Sequence, residues 1–244
     1  MKKISVVIPT YNEEKNIEKC LIAFSRQTLP RDKFEIIIVD GDSKDKTTEI
    51  ATKHADKVIR QTSHGVGGAR NDGAFVAEGE IIVTTDADCL PDEEWLNNLL
   101  KDFEDDRIVA VTGYLDPMIP EEMDDVQAKT YKTLFWIANG LRRAGAKIGY
   151  YHLCGANTAF RREAFTKIRG YSDLAYSDDV EIAKRLRPLG KMKMNRKAEV
   201  DYSIRRIAKL GLLKYSWMII RNDFIVMILG KKPKKDSYAK QNYG

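Results

Sequence analysis

Three short apolar runs, ISVVI at residues 4–8, FEIIIV at 34–39 and EIIVTT at 80–85, are separated by helically periodic stretches at 14–25, 47–54 and 67–77. A strand buried on both faces is near-continuously hydrophobic, and strands that alternate with helices build a parallel sheet through right-handed crossovers. The sequence therefore predicts an α/β protein with a mostly parallel central sheet flanked by helices. Another strand is expected near 108–114. A polar segment, 116–125, then leads into a long helical pattern through Arg143 that packs beside the sheet.

Open α/β sheets bind ligands just beyond the carboxyl ends of their strands, so the residues at those ends matter most. The first run leads into Pro9-Thr10-Tyr11-Asn12-Glu13-Glu14, where proline is expected to stop strand pairing and the polar residues to turn the chain into a helix, forming a nucleotide cradle. The second ends on Asp40, a carboxylate able to accept hydrogen bonds from a base N–H; Asp42 and Asp45 read as caps of the next helix. The third ends on Asp86 and Asp88, spaced to offer oxygens to a hard cation, Mg²⁺ or Mn²⁺, shared with a diphosphate. An acidic turn capping a helix near Asp92 is the plainer reading of that pair. Between the second and third runs, Gly65-Val66-Gly67-Gly68-Ala69-Arg70-Asn71 lets backbone approach a phosphate and brings Arg70 within pairing distance, although it carries no Gly-Lys-Ser/Thr. An ion pair at the surface is the other reading of Arg70.

With 244 residues, 43% of them hydrophobic, the chain is long enough for one large domain followed by a tail. Cys20, Cys89 and Cys154 form neither a disulfide framework nor a metal knuckle, and are expected to be reduced thiols. The opening residues lack the apolar region of a signal peptide, which predicts a cytoplasmic catalytic part. Residues 201–244 carry ten Lys and Arg against three Asp, or +7, while the whole chain is +5, so residues 1–200 carry −2. No nucleic-acid motif accompanies that basic end, and an anionic membrane surface is its better partner. There LLKYSWMIIRNDFIVMIL, residues 212–229, places Leu213, Trp217, Ile220, Phe224 and Met227 at helical spacing and runs into GKKPKK. It is too short and polar to span a bilayer, which takes roughly 20 apolar residues. Either it packs on the core or it lies in a membrane interface, its lysines against headgroups.

Five ordered stretches, SVVIPTYNEEKNIEKCL, IIIVDGDSKDKT, GGARNDGAFVAEGEIIVTTDADCLPDEEW, CGANTAFRREAF and SDDVEIAKRLRPLG, cover most of residues 4–190 and together resemble the family 2 inverting glycosyltransferases with the A-type, Rossmann-like fold. The resemblance implies a catalytic domain over 1–205, with a nucleotide-sugar half at about 1–115 and an acceptor half at about 116–205. A basic amphipathic helical region follows at 206–235, and a tail at 236–244. It implies that Pro9, Tyr11, Glu13 and Asp40 contact the nucleoside and Asp86 the ribose, with Asp88 on the divalent metal, Mn²⁺ or Mg²⁺, and Arg70 near the nucleotide. Gly155, Ala156 and Asn157 would border the sugar and acceptor, and Asp178-Asp179 would supply the base, with Asp179 the candidate. The family's usual form of that pair is Glu-Asp, and two carboxylates at a helix start also read as caps. Arg205 and Arg206 resemble a basic pair placed near the diphosphate in some members; His152 reads as a structural histidine.

The implied activity is metal-dependent, inverting transfer of a sugar from a UDP- or GDP-linked donor to a hydroxyl of a glycan or lipid-linked acceptor. It would take place on the inner face of the cell membrane, with peripheral contact through 212–235. A polyprenyl-phosphate sugar synthase, a sugar nucleotidyltransferase and a non-catalytic nucleotide-sugar binder are the rivals. Asp178-Asp179 favours a hydroxyl acceptor, because an ionised phosphate acceptor needs no base.

Overall fold

The computed structural model describes residues 3–174 and 177–227. Among them, one eight-stranded sheet runs in the spatial order β3 (Lys57–Arg60), β2 (Phe34–Asp40), β1 (Ile4–Thr10), β4 (Ile81–Thr84), β7 (Thr158–Arg161), β6 (Ile108–Met118), β8 (Lys191–Ser203), β5 (Leu90–Pro91). Strands β3, β2, β1 and β4 are mutually parallel, as the alternation of runs and helices predicts. The other half is mixed: β7 is antiparallel to both β4 and β6, β8 is parallel to β6, and β5 is antiparallel to β8.

The apolar runs are continuous because helices cover both faces. Ile4, Val6, Ile8, Ile36, Ile38, Ile81 and Val83 pack on one face with Cys20, Leu21 and Phe24 of α1 (Ile17–Ser25) and Trp95, Leu96 and Leu99 of α4 (Trp95–Asp102). Alternate residues of the same strands, Val7, Ile37, Val39 and Ile82, pack on the other face with Ala69 of α3 (Gly65–Phe75) and with Ala77. Each large aliphatic side chain removed from water in this way contributes roughly 1.5–3 kcal/mol. Helix α3 lies so close to the sheet that a Cβ on Gly73 would come within 2.3 Å of the Val7 side chain.

Pro9 does not stop strand pairing as expected. It stands in register with Val39, inside β1. Pairing of β1 with β4 ends at Val7, whose carbonyl accepts from Thr85 N; Pro9 projects to that same side, two residues further on, where no ladder bond is lost. Strand β6 extends past Tyr114 to Met118 because β8 continues beside it. Asp124 then caps α5 (Asp125–Lys147), accepting a bond from Gln127 N, and the helix runs beyond Arg143. Asn139, buried on α5, ties the helix to the sheet by donating to the Leu115 carbonyl at 2.8 Å.

The other α-helices before α9 (Leu212–Met227) are α2 (Thr47–Thr52), α6 (Arg162–Lys167), α7 (Asp178–Leu186) and α8 (Arg205–Leu210). Asp45 does bond the first turn of α2, accepting from Thr47 N at 3.0 Å, whereas Asp42 is no cap: it lies at φ +75° and pairs with Lys44. Among the described residues the last element is α9. No helix among the described residues is long and apolar enough to cross a membrane. Helix α9 packs against α7 and α8. Asn222 and Val226 are buried while Trp217 and Ile220 are exposed, so the helix has both a packed and an outward face. The Leu213, Phe224 and Met227 side chains, the lysines at 231–235 and the tail at 236–244 lie outside the described residues.

Candidate active site

The carboxyl ends of β1, β2 and β4 bring together the residues that sequence places at a nucleotide. Asp40, the last residue of β2, is 5% exposed and accepts bonds from Thr10 Oγ1, Asp42 N, Ser43 N and Ser43 Oγ. Four protein donors thus occupy the carboxylate expected to meet a base, and a base N–H would share it with them. The Tyr11 ring lies against Gly41, and both Pro9 and Tyr11 are half-buried. Glu13 is buried; one of its oxygens accepts from Asn16 Nδ2 at 2.7 Å and the other pairs with Arg205. The same guanidinium reaches Asp88, Nε to Oδ2, at 2.8 Å. Arg205, at the start of α8, thereby bridges the loops that follow β1 and β4. The charge of Arg206 also bears on Asp88, easing its ionisation.

Asp86 follows β4 and meets a second buried cation. Arg70 Nη2 donates to Asp86 Oδ1 at 2.8 Å, and its Nη1 lies 3.8 Å from Asp178 Oδ2. The Arg70 side chain is only 5% exposed, so the surface ion pair is excluded. Its guanidinium sits over the Tyr171 ring, 5.5 Å from the centroid, a packing partner that no sequence motif marks. Gly155 makes room for it: a Cβ there would fall 2.2 Å from Arg70 Cζ.

Asp178 and Asp179 form the first turn of α7. Burial, then the charge of Asp179, pushes the Asp178 carboxyl up to about 7, against the pull of Arg70. Burial likewise pushes Asp179 up to about 7, Arg70 and the Gly155 N–H acting the other way. That N–H donates to Asp179 Oδ1 at 2.9 Å. His152 lies beside the other oxygen, Nδ1 to Oδ2 4.0 Å.

Ala156 and Asn157, expected with Gly155 to border the sugar and acceptor, have other surroundings. Ala156 and Asn157 are buried, and Asn157 spends both side-chain N–H groups on the carbonyls of Tyr114 and Ala198 while accepting from Trp95 Nε1. Asn157 thus cross-links β6, β8 and α4 beneath the site, and of that triplet only Gly155 touches the polar cluster.

Two carboxylates are available to a divalent ion. Asp86 and Asp88, with the Cys89 thiol, bring one ligand atom each within 4.8 Å of one another. Burial, then the charge of Asp86, raises Asp88 above the usual carboxylate range, a tension that a cation relieves. Burial pushes the Cys89 thiol well up, and the two carboxylates are the hard oxygen donors of the group. Hard oxygen donors fit Mg²⁺ or Mn²⁺.

Comparison with known proteins bears on the family and the fold. Residues 5–169 match the model of glycosyl transferase family 2. The chain is 40% identical over 99 residues to glycosyltransferase AglE of Haloferax volcanii, which is 38% of this chain and 33% of that protein. It is 30% identical over 209 residues to probable glycosyltransferase YdaM of Bacillus subtilis, covering 78% of this chain and 48% of the relative. Among solved structures, the mannosyltransferase PcManGT of Pyrobaculum calidifontis, in complex with GDP-Man and Mn²⁺, superposes with a TM-score of 0.67 at 26% identity, over 95% of this chain and 66% of that one. The chain thus spans a third to about half the length of these curated relatives. A match through most of the sheet and the loops at its strand ends, in a protein with the A-type fold, establishes that this chain belongs to glycosyl transferase family 2.

Proposed function

We propose that the chain is a metal-dependent inverting glycosyltransferase that moves a sugar from a UDP- or GDP-linked donor to a hydroxyl of a glycan or lipid-linked acceptor. The observation that carries this reading is the convergence of Asp86, Arg70 and the Asp178–Asp179 pair, from three separate elements, in one polar cluster beyond the end of β4. A nucleoside would lie along Pro9, Tyr11, Glu13 and Asp40, with its ribose at Asp86. Arg70, Arg205 and Arg206 offer positive charge to a diphosphate. A relative of known structure that carries GDP-Man and Mn²⁺ supports the donor class and the metal.

Inversion by single displacement requires a carboxylate on the side of the sugar away from the leaving diphosphate. As the acceptor oxygen bonds to the anomeric carbon and the bond to the diphosphate breaks, the acceptor proton passes to Asp179. A carboxyl held near 7 by burial suits that task, since a general base works best with a pKa near the operating pH. Gly155 N–H holds one Asp179 oxygen and leaves the other to receive the proton. When bound at Asp88 beside Asp86, the divalent ion supplies charge that stabilises the departing diphosphate. The exposed Trp217 and Ile220 on α9, with Lys214 and Arg221 on the same helix, support contact with an anionic membrane, in keeping with a lipid-linked acceptor on the inner face.

The test is Asp179→Asn, assayed by release of GDP from GDP-mannose and of UDP from UDP-glucose with water standing in for the acceptor. The expected result is a fall in kcat of about 10²-fold or more with nucleotide affinity retained. An unchanged kcat would remove Asp179 from the role of base.

A further inference from the structure

Helix α9 interrupts its apolar face with Arg221-Asn222-Asp223, and the last of these points to a use for the helix inside the site. Asp223 Oδ1 accepts from Ser177 Oγ at 2.6 Å, and Asp223 Oδ2 lies 3.9 Å from His152 Nε2. Ser177 immediately precedes the Asp178–Asp179 pair and holds a left-handed backbone, φ +60°, uncommon for a residue with a Cβ. His152 stands between two carboxylates, Asp223 on one nitrogen and Asp179 on the other. The side chains of His152, Asp179 and Asp223 are 25%, 19% and 16% exposed, so these charges interact with little screening by water. Three segments distant in sequence, 152, 177–179 and 223, therefore meet at one point.

We propose that Asp223 is a positioning residue for Asp179, acting through His152 on one side and through Ser177, which fixes the start of α7, on the other. The C-terminal helix then completes the site instead of serving as an appendage to it, and its outward Trp217 and Ile220 place the same helix against whatever surface it meets. The role assigned to Asp179 rests on the transferase reading; the coupling of Asp223 to His152 does not.

The charged and titratable groups facing His152 are Arg142 from α5, whose Nη2 donates to the His152 carbonyl at 3.3 Å, Asp178 and Asp179 from α7, and Asp223 from α9. Tyr150 also feels Asp223. Burial and then Arg142 lower the imidazole below its ordinary value, and Asp223 and Asp178 pull it back up. His54 and His64, the other two histidines, are exposed, so three imidazole signals are readily separated.

The experiment is NMR titration of the histidine imidazoles in the full chain, with His152 assigned by its loss in His152→Gln, on the parent, Asp223→Asn and Asp223→Glu. Asparagine keeps an acceptor for Ser177 but removes the charge, so the His152 midpoint is expected to fall; glutamate restores the charge and returns it towards the parent value. Unfolding curves on the same samples establish that the variants fold. Donor hydrolysis with GDP-mannose and UDP-glucose completes the test: in Asp223→Asn, kcat is expected to drop about tenfold at constant KM and its acidic limb to move to lower pH, since the Asp223 charge opposes ionisation of Asp179. A His152 midpoint equal in all three proteins would overturn the coupling whether or not the chain is a transferase. A shifted midpoint with kcat and its pH profile unchanged would overturn the positioning role.

Discussion

At the scale of single residues, the site is a problem in burying charge. Arg70 is nearly sealed from water and is balanced by Asp86 at 2.8 Å and Asp178 at 3.8 Å, a geometry that exists only because residue 155 has no side chain. Gly155→Ala should push the guanidinium off both carboxylates. Overpacking of this kind costs about 1–3 kcal/mol, to be read from chemical unfolding, together with a weakening of nucleotide binding of about tenfold or more. The raised carboxyls have a cost of their own. An unfolded aspartate ionises near pH 4 and Asp179 in the folded protein near 7, so between those values the folded state holds a proton that the unfolded state has lost. Stability contributed by this group is full below about pH 4 and is lost as pH rises through 7. Asp179→Asn, which cannot ionise, should therefore melt above the parent at pH 8 and lose that advantage at pH 4; a difference independent of pH would refute the burial argument. The individual aspartates, Arg70 and Gly155 were visible in the sequence as motifs. The Arg70–Asp178 pairing was not, because a separation of more than a hundred residues leaves no local signal, and the Asn157 cross-link, whose partners lie 41 to 62 residues away, was hidden in the same way.

At the scale of elements, burial decides what can be read in advance. Strands β1, β2 and β4 are apolar on both faces and stand out in the sequence. Strands β3 and β7 have four residues each and β5 two, too few for periodicity to emerge. Strand β8 did carry a signal: Met192, Ala198 and Val200 are buried while Lys191, Lys193, Lys197 and Glu199 face out, an alternation broken by the register shift opposite Gly113–Tyr114. Helix α9 is divided in a way its composition foreshadowed without resolving, because Asn222 and Asp223 turn inward and Trp217 and Ile220 outward. Replacing both outward residues, Trp217→Glu with Ile220→Glu, should reduce co-sedimentation with phosphatidylserine-containing vesicles about tenfold and leave unfolding midpoints unchanged. Equal binding by parent and variant would rule out this face as the membrane contact.

At the scale of the whole molecule, the two halves of the sheet supply different parts of the polar cluster. The parallel half ends in the loops that carry Asp40, Asp86 and Asp88, while the mixed half delivers Gly155, Asp178 and Asp179 to the far side of Arg70. Strand β7, antiparallel and wedged between β4 and β6, joins them, so the two groups of loops share one continuous sheet. The first half was legible because its strand and helix periods are strong; the second depended on pairings distant along the chain. The most direct test of a metal-assisted nucleotide site at the end of β4 is calorimetric titration with UDP and GDP, each with Mn²⁺ and with a chelator, repeated on Asp88→Ala. Expected is binding of one of the two nucleotides that requires Mn²⁺ and weakens at least tenfold in the variant. A folded protein that binds neither nucleotide, or binds equally well with chelator and without Asp88, would contradict it.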